Sequence, residues 1–325
     1  MEAQAIEIAG LVRRFGENPA VDGLDLTVDA GSVCGLLGPN GAGKTTTIRI
    51  LATLLLPDQG SATIMGHDVV EEAGLVRRRV GLTGQFASVD TDMTGHENLM
   101  LVARLTGMKG GTARERAGEL LEVFGLDEAA DRRVATYSGG MRRRLDVAAS
   151  LVAAPDVLFL DEPTTGLDPR SRSMVWEIVQ GLVATGITVL LTTQYLDEAD
   201  RLADRIAVMD HGRVVAEGTS SELKASIGAS TLHVSLRDIG QHAEAERILR
   251  ETLRSDVHSV AEMGSLVMPV ADPETATAAI ARLFNAEIPV RDFSLDRPSL
   301  DEVFLALTGQ PAHADKSDTP EEGAA

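Results

Sequence analysis

The sequence predicts an α/β protein built on a parallel sheet, and three stretches carry that expectation. Gly35-Leu36-Leu37 is a short apolar strand that runs into a glycine-rich loop and then a helix. Val157-Leu158-Phe159-Leu160 is an unbroken apolar run that ends in two acids, Asp161 and Glu162. Thr188-Val189-Leu190-Leu191-Thr192-Thr193 is a third such run, ending at Gln194. Short continuous apolar runs of this kind mark strands buried on both faces, the pattern of parallel strands covered by helices.

Composition sets the outer limits. A chain of 325 residues can bury one large core or two moderate ones. Its net charge of −19 argues against unaided nucleic-acid binding, which needs basic footprints. The runs Arg77-Arg78-Arg79 and Arg142-Arg143-Arg144 read as solvated helix faces with some ion pairing. A single cysteine, Cys34, excludes an internal disulfide and reads as a small buried residue. The seven histidines show no metal-ligand spacing. No apolar run is long enough to span a membrane, and Met1 to Gly10 holds no signal-peptide core, so a cytosolic location is expected.

Taken in order, residues 5–33 alternate apolar and polar around turns at Glu17-Asn18-Pro19 and Asp29-Ala30-Gly31, which predicts antiparallel strands. Phe15, before the first turn, fits either plain core or a planar platform for a nucleobase. Gly38-Pro39-Asn40-Gly41-Ala42-Gly43-Lys44-Thr45 then fits G-x-x-x-x-G-K-[ST], with Thr46 opening a helix expected to run to Leu55. Glycines let the backbone turn its N–H groups inward as a nest for phosphate, and the helix start adds donors and a positive dipole end. Lys44 supplies a full charge for the β- and γ-phosphates, and the Thr45 hydroxyl suits Mg²⁺.

Strands follow at residues 60–67 and 80–85, the second ending in Gln85. Residues 94–154 read as helical, opened by a capping box of Thr94 and Glu97. Tyr137-Ser138-Gly139-Gly140-Met141 begins another helix with Ser138 as N-cap, a second place where helix N–H groups face an anion. Asp161 and Glu162 sit at the C-terminal end of a buried strand, where α/β sheets bind ligands. Asp161 is placed to hold Mg²⁺ and Glu162 to take a proton from an attacking water. After the turn Gly166-Leu167-Asp168-Pro169, a helix from Ser171 carries the one tryptophan, Trp176, as core. Residues 206–209 and 213–216 form a hairpin.

From about Ser230 the order strand, helix, two strands, helix, strand suggests a small ferredoxin-like unit, with a final helix boxed by Ser299 and Glu302. The expected divisions are 1–228, with a helical subdomain at about 88–155, then 229–309, and a disordered acidic tail over 310–325.

The fixed order of Gly38–Thr45, Gln85, Ser138-Gly139-Gly140 and Asp161-Glu162 resembles the ATP-binding subunit of an ABC transporter, a P-loop NTPase with antiparallel β and helical subdomains. Residues 137–145, 191–200 and 299–309 further resemble the daunorubicin/doxorubicin-resistance type, which extends the likeness over nearly the whole chain. The resemblance implies a homodimer sandwiching two ATP with Mg²⁺, seated on a separate membrane permease at the cytoplasmic face and exporting a small hydrophobic molecule, an anthracycline-like drug or antibiotic. It implies that Phe15 stacks on adenine, that Gly38 to Thr46 wrap the phosphates, and that Gln85 touches Mg²⁺ and the attacking water. It further implies that Ser138, Gly139 and Gly140 cap the γ-phosphate held by the opposite subunit, and that Asp168 crosses the dimer interface. It implies as well that Thr45 and Asp161 hold Mg²⁺ and that Glu162 is the general base. Gln194 stands where most relatives carry histidine, and its amide can donate to a phosphate but cannot take a proton. Lipids or other secondary metabolites are an alternative cargo. An importer subunit or a soluble ATPase of the same family are more distant readings.

Overall fold

The computed structural model describes residues 3–84, 88–226, 230–253, 258–260, 265–270, 273–296 and 299–308. Gln85 and the tail from 310 onward lie outside these. The chain divides into two compact units, one up to Ser220 and one spanning Ser221–Gln310.

In the first unit β1 (Gln4–Phe15) and β2 (Asn18–Asp29) pair antiparallel, and Leu24, Leu26 and Val28 turn inward at the period of two that a one-sided sheet needs. The following strand β3 (Val33–Leu37) leaves them for another sheet, so the first two strands do not continue into the one before the glycine loop. The small sheet is completed by β4 (Gln59–Ile64) and β5 (His67–Asp68), in the order β2-β1-β4-β5. Between β3 and β4 runs α1 (Lys44–Leu51), which stops short of Leu55 because Thr53 takes a left-handed φ of 61°. After α2 (Ala73–Arg79) comes β6 (Val80–Thr83).

The helical stretch is α3 (Gly95–Leu105), α4 (Gly110–Val123) and α5 (Gly139–Ser150), and both halves of the Thr94–Glu97 box are formed. The chain then makes β7 (Val157–Asp161), α6 (Pro169–Ala184), β8 (Thr188–Thr193), α7 (Leu196–Leu202) and the hairpin β9 (Arg205–Asp210) and β10 (Arg213–Gly218). The main sheet runs β10-β9-β3-β8-β7-β6, parallel from β9 to β6, with β10 antiparallel at one edge.

All residues of β3, β7 and β8 are buried, and alternate side chains of β7 enter different cores. Leu158 and Leu160 pack with α3 to α6, whereas Val157 and Phe159 pack with Cys34, α1 and the small sheet. Each such side chain contributes roughly 1.5–3 kcal/mol. The consequence for the site is the order β3-β8-β7. The loop after β3 and the acids after β7 flank the end of β8.

The second unit begins at α8 (Ser220–Ser226), which overlaps the division by one residue, and continues through β11 (Ser230–Leu236), α9 (His242–Leu253), β12 (His258–Val260), β13 (Ser265–Val270), α10 (Pro273–Asn285), β14 (Val290–Asp296) and α11 (Leu300–Thr308). Its sheet order, β12-β13-β11-β14, is antiparallel throughout and is that of a ferredoxin-like βαββαβ unit. Ser299 and Glu302 form the expected reciprocal cap of α11.

Candidate functional site

The glycine loop is folded by close approach. A side chain at Gly38 would run into the Met209 carbonyl oxygen of β9, and Gly43, at φ 106°, turns its Cα toward the Ala20 carbonyl oxygen. Only glycine fits both places. Gly43 is also the N-cap of α1, and it leaves the first-turn N–H groups of α1 without a side-chain cap. Ala42 is buried beneath the loop, its carbonyl accepting the Gly212 N–H at 2.9 Å.

Lys44 is buried, and its Nζ donates to the Gly38 and Pro39 carbonyls at 2.6 and 3.0 Å. Its Nζ also lies 3.9 Å from Glu162 Oε1. Burial pushes the lysine pKa below its ordinary value, and the Glu162 and Asp161 carboxylates push back. A cavity of about 360 Å³ opens here, lined by Phe15, Ala20, Asn40, Gly41, Gly43, Lys44, Thr45, Thr46 and Glu162. Phe15 is 53% exposed, so it is not core. The Arg13 guanidinium lies 5.1 Å from its ring centroid and is itself held by Asp58 at 2.8 Å.

The acids are positioned by β8. Thr192 Oγ1 donates to Asp161 Oδ1 at 2.7 Å, and Thr45 Oγ1 donates to the same oxygen at 3.0 Å. Glu162 has a left-handed φ of 48°, a conformation costing on the order of 1–3 kcal/mol for a non-glycine residue. Its N–H is held by Thr192 twice, by Oγ1 at 3.0 Å and by the carbonyl at 3.1 Å. One residue along, the Thr193 carbonyl accepts the Gly38 N–H at 3.2 Å. Adjacent residues of one strand therefore anchor the phosphate loop and the glutamate. Gln194 follows directly and is half-buried. The Thr45 hydroxyl lines the cavity and is hydrogen-bonded to the buried Asp161 carboxylate, a hard-oxygen donor pair of the kind that fits Mg²⁺.

Ser138, Gly139, Gly140 and Asp168 do not line this cavity and form a second cluster. Ser138 Oγ caps α5 by accepting from Met141 N at 3.2 Å, and Ser138 and Gly139 are exposed. Asp168 caps α6, accepting from Ser171 N at 3.0 Å and Ser171 Oγ at 2.6 Å, and the Ser171 contacts hold its carboxyl below the usual range. A side chain at Gly140 would meet Ser171, so the two helix starts pack against each other.

The expectation for the arginine runs fails in part. Arg77 and Arg78 are exposed as expected, but Arg143 is buried inside the arginine run and donates to main-chain carbonyls around the acids. Its signal was its place on the helix, since Gly140, Arg143 and Val147 share the buried face of α5 at i, i+3, i+7 spacing. Thr192 was also missed. Two threonines closing an apolar strand are the cue for side chains that serve the strand's end.

A family model described as "ABC transporter" matches residues 21–165, and one described as "ATP-binding protein DrrA1-3-like, C-terminal domain" matches residues 218–308. The chain is 60% identical over 309 residues, 95% of this chain and 94% of the other, to the daunorubicin/doxorubicin resistance ATP-binding protein DrrA of Streptomyces peucetius. It is 47% identical, over 95% of each chain, to the doxorubicin resistance ATP-binding protein DrrA of Mycobacterium tuberculosis (strain ATCC 25618 / H37Rv). It is 42% identical, over 94% of each, to the Nod factor export ATP-binding protein I of Ralstonia nicotianae. Among solved structures, the ADP conformation of MJ1267, an ATP-binding cassette of an ABC transporter, aligns with a TM-score of 0.62 at 28% identity, covering 67% of this chain and 92% of that one. The dimeric post-hydrolysis state of the cassette MJ0796 with ADP and Pi aligns with a TM-score of 0.60 at 25% identity, covering 66% and 98%. The chain belongs to the ATP-binding subunits of ABC transporters, the ATPases that power transport, in the branch that carries the DrrA1-3-like C-terminal domain.

Proposed function

We propose that two copies of this chain close head to tail on two Mg-ATP and drive a separate permease that exports hydrophobic drug-like compounds, from the cytoplasmic face of the membrane. The observation that carries the hydrolytic part is the Glu162 carboxylate at the wall of the Lys44 cavity, on a backbone that Thr192 holds in place. Lys44 and the loop N–H groups bind and orient the phosphates, and Phe15 stacks on the base. Glu162 takes the proton of the attacking water, and Gln194 donates to the γ-phosphate as a neutral sensor. Thr45 and Asp161 hold Mg²⁺, which when bound neutralises charge on the phosphate oxygens. Gln85, outside the described residues, is assigned to the metal and the water from the resemblance to ABC ATPases.

The second pocket wall comes from the partner copy. Ser138 and Gly139 are exposed while Gly140 is buried against Ser171, and an exposed helix start beside Asp168 suits a phosphate presented from outside. Among the described residues no helix is long and apolar enough to cross a membrane, which agrees with spans supplied by a partner. The drug cargo follows the names of the 60% and 47% identical relatives. A second reading, export of another secondary metabolite, is favoured by the 42% identical Nod factor export subunit.

Glu162→Gln is expected to lower kcat by on the order of 10²–10⁴ while ATP-induced dimers accumulate, measured by phosphate release and gel filtration. Wild-type turnover in that variant removes Glu162 from the role of base. Which compounds stimulate the ATPase of the complex with its permease separates the two cargo readings.

A further inference from the structure

Arg143 is 6% exposed, and it spends its donors mainly on backbone rather than on a partner acid. Its Nε donates to the Pro163 carbonyl at 2.7 Å and its Nη2 to the Asp161 carbonyl at 3.1 Å. Its Nη1 donates to the Gly84 carbonyl at 2.6 Å, and more weakly to Asp146 Oδ2 at 3.4 Å. Asp161 and Pro163 are the two neighbours of Glu162. One planar fork therefore grips the carbonyls on either side of the residue whose backbone is left-handed, while Thr192 grips its N–H from the opposite strand. Asp146 completes the unit, its Oδ1 accepting the Ser88 N–H at 2.7 Å.

The chemistry of the group explains the choice. Arginine presents five donors at fixed angles and is weakly hydrated, so it can satisfy several carbonyls at once inside a protein, which a lysine cannot. Burial lowers the Arg143 pKa from its ordinary value, opposed by Asp146 and Asp161, and the group stays a cation at neutral pH. A buried cation is costly, and a packed apolar side chain would be the cheaper way to fill the space. What an apolar side chain cannot do is fix three carbonyls on two segments.

We propose that Arg143 is a positioning residue for hydrolysis: it holds the Asp161–Pro163 turn in the geometry that lets Glu162 act as base, and ties that turn to Gly84 and to the helix that begins at Ser138. This rests on the reading of Glu162 as the base. Arg143 does not line the nucleotide cavity, so its effect belongs in kcat and not in nucleotide affinity. A glutamate displaced by about 1 Å loses on the order of 10²-fold in rate.

The test uses the full-length chain and the variants Arg143→Gln, Arg143→Lys and Glu162→Gln, with the double variant of Arg143→Gln and Glu162→Gln. Steady-state hydrolysis, equilibrium binding of a fluorescent ATP analogue and the thermal midpoint are measured on the same preparations. Arg143→Gln is expected to lose roughly 10–100-fold in kcat with analogue affinity within about 3-fold. Arg143→Lys keeps the charge without the fork and is expected to fall between, and it carries the test if the glutamine variant does not fold. In the Glu162→Gln background, Arg143→Gln is expected to change the residual rate by less than about 2-fold, because two residues acting on one step are not additive. Wild-type kcat in both single Arg143 variants overturns the inference. So does a kcat loss matched by equal losses in binding and thermal midpoint, the mark of a purely structural staple, or a full Arg143 effect in the Glu162→Gln background. Wild-type turnover in Glu162→Gln alone would remove the base assignment, and with it the step Arg143 is placed to serve.

Discussion

Two helix starts in this chain are proposed to hold phosphate, and they are built in opposite ways. At α1 the N-cap is Gly43, no side chain caps the first turn, and a buried lysine stands beside the free N–H groups within a walled cavity. At α5 the N-cap is Ser138, whose own hydroxyl takes the Met141 N–H, and Ser138 and Gly139 are exposed. The first start carries its own charge, walls and metal-type donors. The second is open at Ser138 and Gly139, and in the proposed dimer another copy faces it. Binding and turnover should therefore separate, with binding belonging to one copy and turnover to two.

The strongest way to break this contrast is to cripple each start in turn. Lys44→Ala is expected to weaken ATP binding to an isolated chain roughly 10–100-fold, the worth of a charged hydrogen-bonding group, and to abolish hydrolysis. Ser138→Arg is expected to leave analogue binding by the isolated chain within about 2-fold while removing ATP-induced dimers and at least ~10²-fold of turnover. Equal losses of binding in the two variants would erase the distinction.

A finer test concerns how the exposed start is supported. A Cβ at Gly140 would lie 2.8 Å from Ser171 Cβ and closer still to its hydroxyl, so Gly140→Ala displaces Ser171, the residue that binds Asp168. The variant is expected to cost about 1–3 kcal/mol in stability, read by urea unfolding. Adding Ser171→Gly should recover more than half of that stability but not the hydrolysis rate, since Asp168 then lacks its hydroxyl partner.

The smallest effect is a pH slope at Glu198 on α7, behind both starts. Glu198 Oε1 accepts from Thr164 Oγ1 at 2.9 Å and Trp176 Nε1 at 3.1 Å. Burial raises its pKa above the ordinary 4.5, so the folded chain favours the protonated acid. The stability this group contributes is full below that ordinary value and is lost as pH rises through the folded value. Glu198→Gln keeps the acceptor and cannot ionise. Its thermal midpoint should therefore rise relative to wild type as pH climbs above 4.5, and a parallel pair of curves would refute the assignment.

Much of this was legible before any coordinates. The glycine loop, the acids at the end of β7, the Ser138 cap and the Ser299–Glu302 box are local signals, each stating its chemistry within a few residues, and the structure forms all of them. What escaped was whatever depends on partners distant in the chain. Arg143 read as solvated because its run is charged, yet the carbonyls it serves lie at Gly84, Asp161 and Pro163. Thr192 looked like the end of a strand, and its role appears only in the register that sets it opposite Asp161. Phe15 was open between two uses, and its exposure beside the cavity removes it from the core.

The strand order β3-β8-β7 has a mechanical consequence. Thr192 and Thr193 are neighbours on a rigid extended backbone that advances only about 3.3 Å per residue. One is bolted to the turn of Glu162 and the other to the entrance of the phosphate loop. On the proposed roles, the spacing between nucleophile activation and triphosphate grip is thus set by a molecular ruler a single step long. A transport cycle built on those roles would carry both together as one jaw.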